Sequence, residues 1–231
     1  MSITLFGTCR LDKIHNHNNL NNLINYTHST KEIIQFIQFL NGELTIPAPY
    51  NQFCFRTGIC ENKCIDYSDT YNKLFVDTDI FIIEICSNKK YIHNDFYLHH
   101  LCVDKRFTSY NVNTPSEILD NFTIEKQSDE EIENDILEIK RLLYPKKMII
   151  VSHYNSKQND EYINTRNNLI NLLDNICKKY EIPFMNPTIA LSDYSQEQVM
   201  KSDLGHYTDF GINEFSNYAN DFISKCIQNI G

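Results

Sequence analysis

No stretch of this sequence is apolar for long enough to cross a bilayer. Its longest apolar runs, such as Ile80–Ile85, fall far short of the roughly 20 residues a spanning helix needs. No charged leader, apolar core and small-residue cleavage site opens the chain, so the expectation is a soluble, unprocessed, cytoplasmic protein. Basic residues are in short supply. Lys and Arg number 21 against 30 Asp and Glu, a net charge of −9. That balance argues against sequence-independent nucleic-acid binding and against attachment to an anionic membrane surface, both of which need a basic face to replace counterions. Tryptophan is absent, and the richness in Asn, Ile, Lys and Tyr reflects codon supply rather than chemistry. Internal repeats, low-complexity tracts and linkers are also lacking, so residues 1–231 read as one domain, with 42% hydrophobic residues to build its core.

Eight cysteines are present, but they are scattered through a chain of ordinary size without a secretory signal, which favours reduced thiols over a disulfide framework. Cys54, Cys60, Cys64, His99, His100 and Cys102 lack the tight paired spacing of a zinc site, so no metal is expected. His28, His93, His99, His100 and His153 read as surface or core histidines rather than catalytic ones, His153 lying also at the site edge of its strand.

The pattern along the chain is an alternation of strands and helices. Ile3–Phe6 reads as a strand stopped by Gly7-Thr8-Cys9-Arg10, and Asp12 to Asn25 reads as a loop. Ser29-Thr30-Lys31-Glu32 is a capping box opening a helix that Gly42 stops. Glu43–Pro47 is a weak second strand, and Asp79–Ile85 the strongest, its near-continuous apolar character suiting a central parallel strand. Residues 87–127 show little period and many aromatics, and read as an insertion, lid or binding loop. A second capping box at Ser128–Glu131 opens a helix, followed by a strand at Lys146–Ser152, a helix near Glu161–Tyr180, a strand at Ile182–Met185 and a last helix from about Phe210 to Ile227. Such alternation predicts an α/β fold with a parallel sheet of about five strands and helices on both faces.

Chemistry-bearing residues fall at the carboxyl edge of that sheet, where open parallel sheets bind ligands. Cys9 follows the first strand; alone, it reads more readily as a small buried hydrophobe than as a nucleophile. Glu84 is conspicuous near the end of the central strand, as either an ion-pair member or a site carboxyl. His153 ends the next strand. Asp203-Leu204-Gly205-His206 precedes the last helix, and an acid three residues before a histidine can fix its tautomer and leave the other ring nitrogen as a base.

These residues resemble the SGNH, or GDSL-type, hydrolase superfamily. Ile3–Cys9 resembles its first block, with Cys9 where the family has its nucleophilic serine. Gly58 stands for the glycine of the second block, and Cys86-Ser87-Asn88 resembles the third, which would make Asn88 an oxyanion donor. Asp203 and His206, with Thr208 and Gly211, resemble the fourth. The chain departs from the family in having Gly-Thr-Cys for Gly-Asp-Ser and Lys89 where an acid is usual. Cysteine at this position is similar to the relatives named for a Gly-Ser-Cys-Phe-Ala motif and to capsular-polysaccharide proteins with Gly-Asn-Cys, the latter implicated in acetyl transfer from coenzyme A.

The resemblance implies a three-layer, flavodoxin-like fold with sheet order 2-1-3-4-5, and an esterase or O-acyltransferase acting on a carbohydrate ester. Cys9, His206 and Asp203 would be catalytic, with Asn88, Gly58, Thr8, Arg10, Ser87, Glu84 and His153 around the substrate. It requires no cofactor, a coenzyme A thioester being one optional acyl donor. Apart from the resemblance, Arg10, Lys89 and Lys90 put cations near the site, which either suit an anionic donor such as coenzyme A or a nucleotide-linked sugar or are ordinary solvated surface charges. The alternatives are an inactive carbohydrate- or ligand-binding module on the same scaffold, and an interaction protein using the aromatic insertion as a partner surface.

Overall fold

The computed structural model describes residues 2–8, 10–11, 20–21, 27–61, 64, 69–104 and 116–228. Its centre is a five-stranded, fully parallel sheet of β1 (Ile3–Phe6), β2 (Leu20–Asn21), β3 (Ile80–Ile85), β7 (Lys147–Ser152) and β10 (Phe184–Met185), ordered β2-β1-β3-β7-β10. This is the expected 2-1-3-4-5 order, with one correction. The second strand is Leu20–Asn21, inside the stretch read as a loop, while residues 43–47 run without regular structure into the helix Ala48–Cys54.

Strand alternation explains the three layers, because successive side chains of a strand point to opposite faces. Phe81, Ile83 and Ile85 of β3 join Phe6, Met148 and Ile150 on one face. There they pack against α1 (Thr30–Leu40) and the helices Asp129–Leu143 and Asn164–Lys179, hereafter α6 and α7. Ile80 and Ile82 join Ile3, Leu5, Ile149 and Val151 on the other face, covered by the terminal helix Asp209–Gln228, α10. Phe6, Phe81 and Ile82 are wholly excluded from solvent, and full burial of such a side chain is worth about 1.5–3 kcal/mol. The same alternation places Glu84 on the α10 face, where the His206 turn lies.

Both capping boxes are formed. Ser29 accepts the Glu32 N–H at the start of α1, and Ser128 accepts that of Glu131 at the start of α6.

The aperiodic insertion has a sheet of its own. β4 (Lys89–His93) pairs antiparallel with β5 (Phe96–Leu98) and with β6 (Thr123–Lys126), and a 3-10 turn at His100–Val103 follows β5. Gln35 of α1 docks this sheet by acting as a missing strand partner: its amide nitrogen donates to the Tyr97 carbonyl and its oxygen accepts the Tyr97 N–H, each at 2.8 Å. On the return path, Asp135 of α6 accepts from Thr30, Gln127 and Lys31 at 2.6–2.8 Å. Tyr91, Phe96 and Phe122 pack against the core and Leu98 is buried in it, so these side chains help to hold the insertion on the core. Among the described residues no helix is long and apolar enough to cross a membrane.

Candidate active site

β1 ends in a turn that only glycine allows at position 7, since a Cβ there would lie 2.7 Å from Leu11 Cδ1 and 2.8 Å from Glu84 Cβ. This close approach lets Glu84, wholly buried, reach the turn. Its Oε2 accepts the Thr8 N–H at 2.8 Å and the Thr8 hydroxyl at 2.5 Å, and its Oε1 accepts Arg10 Nε at 2.7 Å. Of the two readings of Glu84, the structure shows the ion pair. Burial opposes the charge on Arg10, while Glu84, with smaller help from Cys86 and Tyr207, more than restores it, so the guanidinium stays firmly protonated. Arg10 Nη1 then donates to the carbonyl of Gly205 at 3.1 Å.

That bond joins the first turn to the turn before α10. Asp203 folds the latter around itself: its Oδ1 accepts the N–H groups of Gly205 and His206 at 2.9 and 3.0 Å, and its Oδ2 meets His206 Nδ1 at 2.7 Å. The Gly205 amide, the His206 imidazole and the His206 amide together hold the Asp203 carboxyl down at about 2. An aspartate that is ionised throughout the neutral range and bonded to Nδ1 keeps the proton on that nitrogen and leaves Nε2 as the base. His206 Nε2 has no hydrogen bond among the described residues, and the ring is 56% exposed.

Leu204, at φ 56°, turns its carbonyl inward to accept Arg166 Nη1 at 2.7 Å and the Ser156 hydroxyl at 3.1 Å. Thr208 locks the far side of the turn, its hydroxyl donating to Gln198 and accepting the Gly211 N–H. Gly211 is obligatory for this contact, because a Cβ would lie 2.2 Å from the Val199 carbonyl oxygen.

His153, at the carboxyl end of β7, is buried with Nδ1 against the Tyr154 carbonyl at 2.9 Å. Burial, then the charges of Arg10 and Arg166, push its pKa well below the usual imidazole range, so it is neutral. It reads as a positioned neutral donor rather than a titrating base.

The remaining sequence candidates divide. Cys9 lies outside the described residues. Thr8 is buried, with its hydroxyl donating to Glu84. Asn88 follows β3 as expected; its carbonyl accepts the Gln127 N–H, and it lines a polar cavity of ≈ 480 Å³ with Lys126 and with Asn164, Asn168 and Asn171 of α7. The Cys86 and Ser87 N–H groups both donate to the His28 carbonyl. Gly58 sits in the helix Arg56–Glu61, where a Cβ would meet the Gln52 carbonyl oxygen at 2.3 Å, so its demonstrated job is helix packing. The expected cationic rim is weaker than the sequence suggests. Arg10 is neutralised by Glu84, and Lys90 pairs with Glu131 at 2.7 Å and Glu125 at 3.4 Å. Arg166, in the first turn of α7, and Ser156, in the loop after β7, escaped notice in the sequence, although for Ser156 a polar residue after a sheet's carboxyl end is a usable signal.

The three-layer architecture is the SGNH hydrolase fold. It superposes on a lipase/acylhydrolase from Enterococcus faecalis with a TM-score of 0.51 and 9% identity, over 95% of this chain and 93% of that one. A lipase from a goat rumen metagenome gives a TM-score of 0.50 at 9% identity, over 96% and 97% of the two chains. The chain belongs to the TviD N-terminal domain family, which it matches over residues 1–115 and 111–218. The Vi polysaccharide biosynthesis protein TviD of Salmonella typhi is 30% identical over 96 residues, 40% of this chain but 12% of that longer protein.

Proposed function

We propose that the protein is an acyl esterase or O-acyltransferase that acts on acyl, above all acetyl, esters of a carbohydrate, with Cys9, His206 and Asp203 as its catalytic residues. The observation that carries this reading is the Arg10–Gly205 bond. Cys9 is covalently flanked by Thr8 and Arg10, and Arg10 is tied to the residue preceding His206.

In the proposed reaction His206 Nε2 takes the Cys9 thiol proton while Asp203 stabilises the imidazolium, and the sulfur attacks the acyl carbonyl. Asn88 and the Cys9 N–H stabilise the oxyanion. The departing alcohol or thiol recovers the proton from His206, leaving an acyl thioester on Cys9. Water, or a sugar hydroxyl, then attacks that thioester and passes its proton to His206, which returns it to the cysteine. Water gives hydrolysis and sugar gives transfer. The amide-lined cavity beside Asn88 suits a polyhydroxylic acceptor, since side-chain amides both donate and accept hydrogen bonds. The relative's name, a polysaccharide biosynthesis protein, agrees with such a substrate.

The test is incubation of the full chain with an acetyl thioester or an acetylated oligosaccharide, followed by peptide mass analysis. An acetyl adduct on Cys9 that forms in the wild type and fails to form in Cys9→Ala and His206→Ala is the expected result. Equal adduct formation and turnover in Cys9→Ala would remove the proposal.

A further inference from the structure

His28, which precedes the first capping box, and His99 and His100, which follow β5, are brought together although the sequence showed no metal-ligand spacing. One ligand nitrogen of each ring lies within 4.8 Å of those of the other two. The ring centroids of His28 and His100 are 3.8 Å apart, those of His99 and His100 4.5 Å, and those of His28 and His99 5.2 Å. Three imidazoles converging in a largely enclosed space is an arrangement that packing alone does not favour, because polar ring nitrogens need partners there. His100 Nδ1 is sealed from solvent and has no hydrogen bond among the described residues.

We propose that His28, His99 and His100 form a binding site for a divalent transition metal of the zinc class, one that clamps the insertion to the edge of the parallel sheet. Imidazole nitrogen is the ligand type that zinc, cobalt and nickel ions prefer, and three protein nitrogens are enough for a four-coordinate site completed by water. Zinc–nitrogen bonds of about 2.0–2.1 Å in tetrahedral geometry place the nitrogens roughly 3.3 Å apart, so each pair closes by no more than about 1.5 Å.

The backbone of each ligand is already pinned. The His28 carbonyl accepts the N–H groups of Cys86 and Ser87 at 3.1 and 3.0 Å, and the His99 N–H donates to the Phe53 carbonyl at 2.8 Å. His99 Nδ1 also accepts the Leu101 N–H at 3.2 Å. A neutral ring that accepts at Nδ1 carries its proton on Nε2, so coordination through Nδ1 leaves that proton in place and replaces only this long bond. A buried carboxyl, that of Glu32, also stands beside the cluster, with Oε2 3.9 Å from His28 Nδ1. The metal would thus join the start of α1, the segment Cys86–Ser87 leading to Asn88, and the insertion. The acyl chemistry is not needed for any of this.

The experiment is titration of the chelator-treated full-length protein with Co²⁺, read by visible absorption and by thermal unfolding. The expected result is one Co²⁺ per chain, with d–d bands lacking thiolate charge transfer, and a melting temperature that rises on binding. His28→Gln and His100→Gln, the two less buried ligands, should each weaken Co²⁺ binding at least ten-fold while the metal-free proteins still unfold cooperatively. No cobalt binding by the wild type, binding unchanged in both variants, or a thiolate charge-transfer band would each overturn the proposal.

Discussion

Arg10 Nη1 lies 3.1 Å from the carbonyl oxygen of Gly205, and the same guanidinium donates to Glu84 at 2.7 Å. One side chain thus spans the central strand, the turn after β1 and the turn carrying His206. The pair it makes with Glu84 is buried, with 11% and 1% of the two side chains exposed. A buried pair adds little net stability over an apolar substitute, but losing one partner strands a charge.

Arg10→Met should therefore destabilise the protein by about 3–5 kcal/mol, the usual consequence of an uncompensated buried charge. Adding Glu84→Gln should recover a good part of that loss, because the amide oxygen can still accept from Thr8. Urea unfolding of the two single variants and the double variant measures the coupling. Additive effects would show that the pair does not hold the turns together.

Much of this arrangement could be read from the sequence, for physical reasons that differ by residue. The parallel sheet followed from apolar runs alternating with capped helices, its strand order from the family resemblance, and the terminal Asp203–His206 turn from a spacing whose geometry is local. β2 was missed because two residues of an Asn-rich stretch carry no period. The insertion was opaque because its strands are short and rely on α1, through Gln35, for their docking. Glu84 was visibly in need of a partner, but Arg10 could be chosen only once the Gly7 turn was known. His28 lies far in sequence from His99 and His100, so no spacing rule could unite them.

His153 gives a pH dependence of defined sign. Its native pKa is depressed by burial and by Arg10 and Arg166, whereas the unfolded imidazole titrates near ~6.5. Below that pH the unfolded chain binds a proton that the native site refuses, so this contribution to stability is complete above about pH 6.5 and is lost as the pH falls. Burial and His28 also lower His100, to about 4, which acts in the same direction. The part belonging to His153 is the difference between wild type and His153→Gln, whose unfolding free energy should fall less steeply between pH 6.5 and 5. One group can supply a slope of at most about 1.4 kcal/mol per pH unit. Parallel curves would place His153 in a setting that tolerates its charge.

Gly211→Ala should strain the His206 turn without touching its chemistry. The added methyl would meet the Val199 carbonyl at 2.2 Å, and a backbone atom cannot step aside as a flexible side chain would. A loss of about 1–3 kcal/mol is expected from overpacking of this kind. The Thr208 N–H, which bonds that same carbonyl at 3.0 Å, should be displaced with it. Turnover should fall more than thermal stability alone explains, as measured well below the melting temperature.

The thiols supply the most direct test of the catalytic assignment. Burial pushes the Cys54 and Cys86 thiols far up and raises Cys102 and Cys177 to about 12, so these four are protonated at neutral pH, and Cys54, Cys102 and Cys177 are also shielded from solvent. Cys64 is exposed and should alkylate at an ordinary rate. A cysteine served by the Asp203–His206 pair carries more thiolate than an isolated one, whose pKa is near ~8.5. At pH 7 Cys9 should therefore react with iodoacetamide before every other cysteine, and its rate should drop several-fold in His206→Ala while that of Cys64 stays constant. Cys9→Ser should keep some turnover, because His206 can activate a hydroxyl in the same way. Thr8→Val should cost stability through the lost bond to Glu84 and leave the Cys9 alkylation rate high. If Thr8→Val instead abolishes turnover in a folded protein while Cys9→Ala retains it, the nucleophile is the hydroxyl and the assignment of Cys9 is wrong.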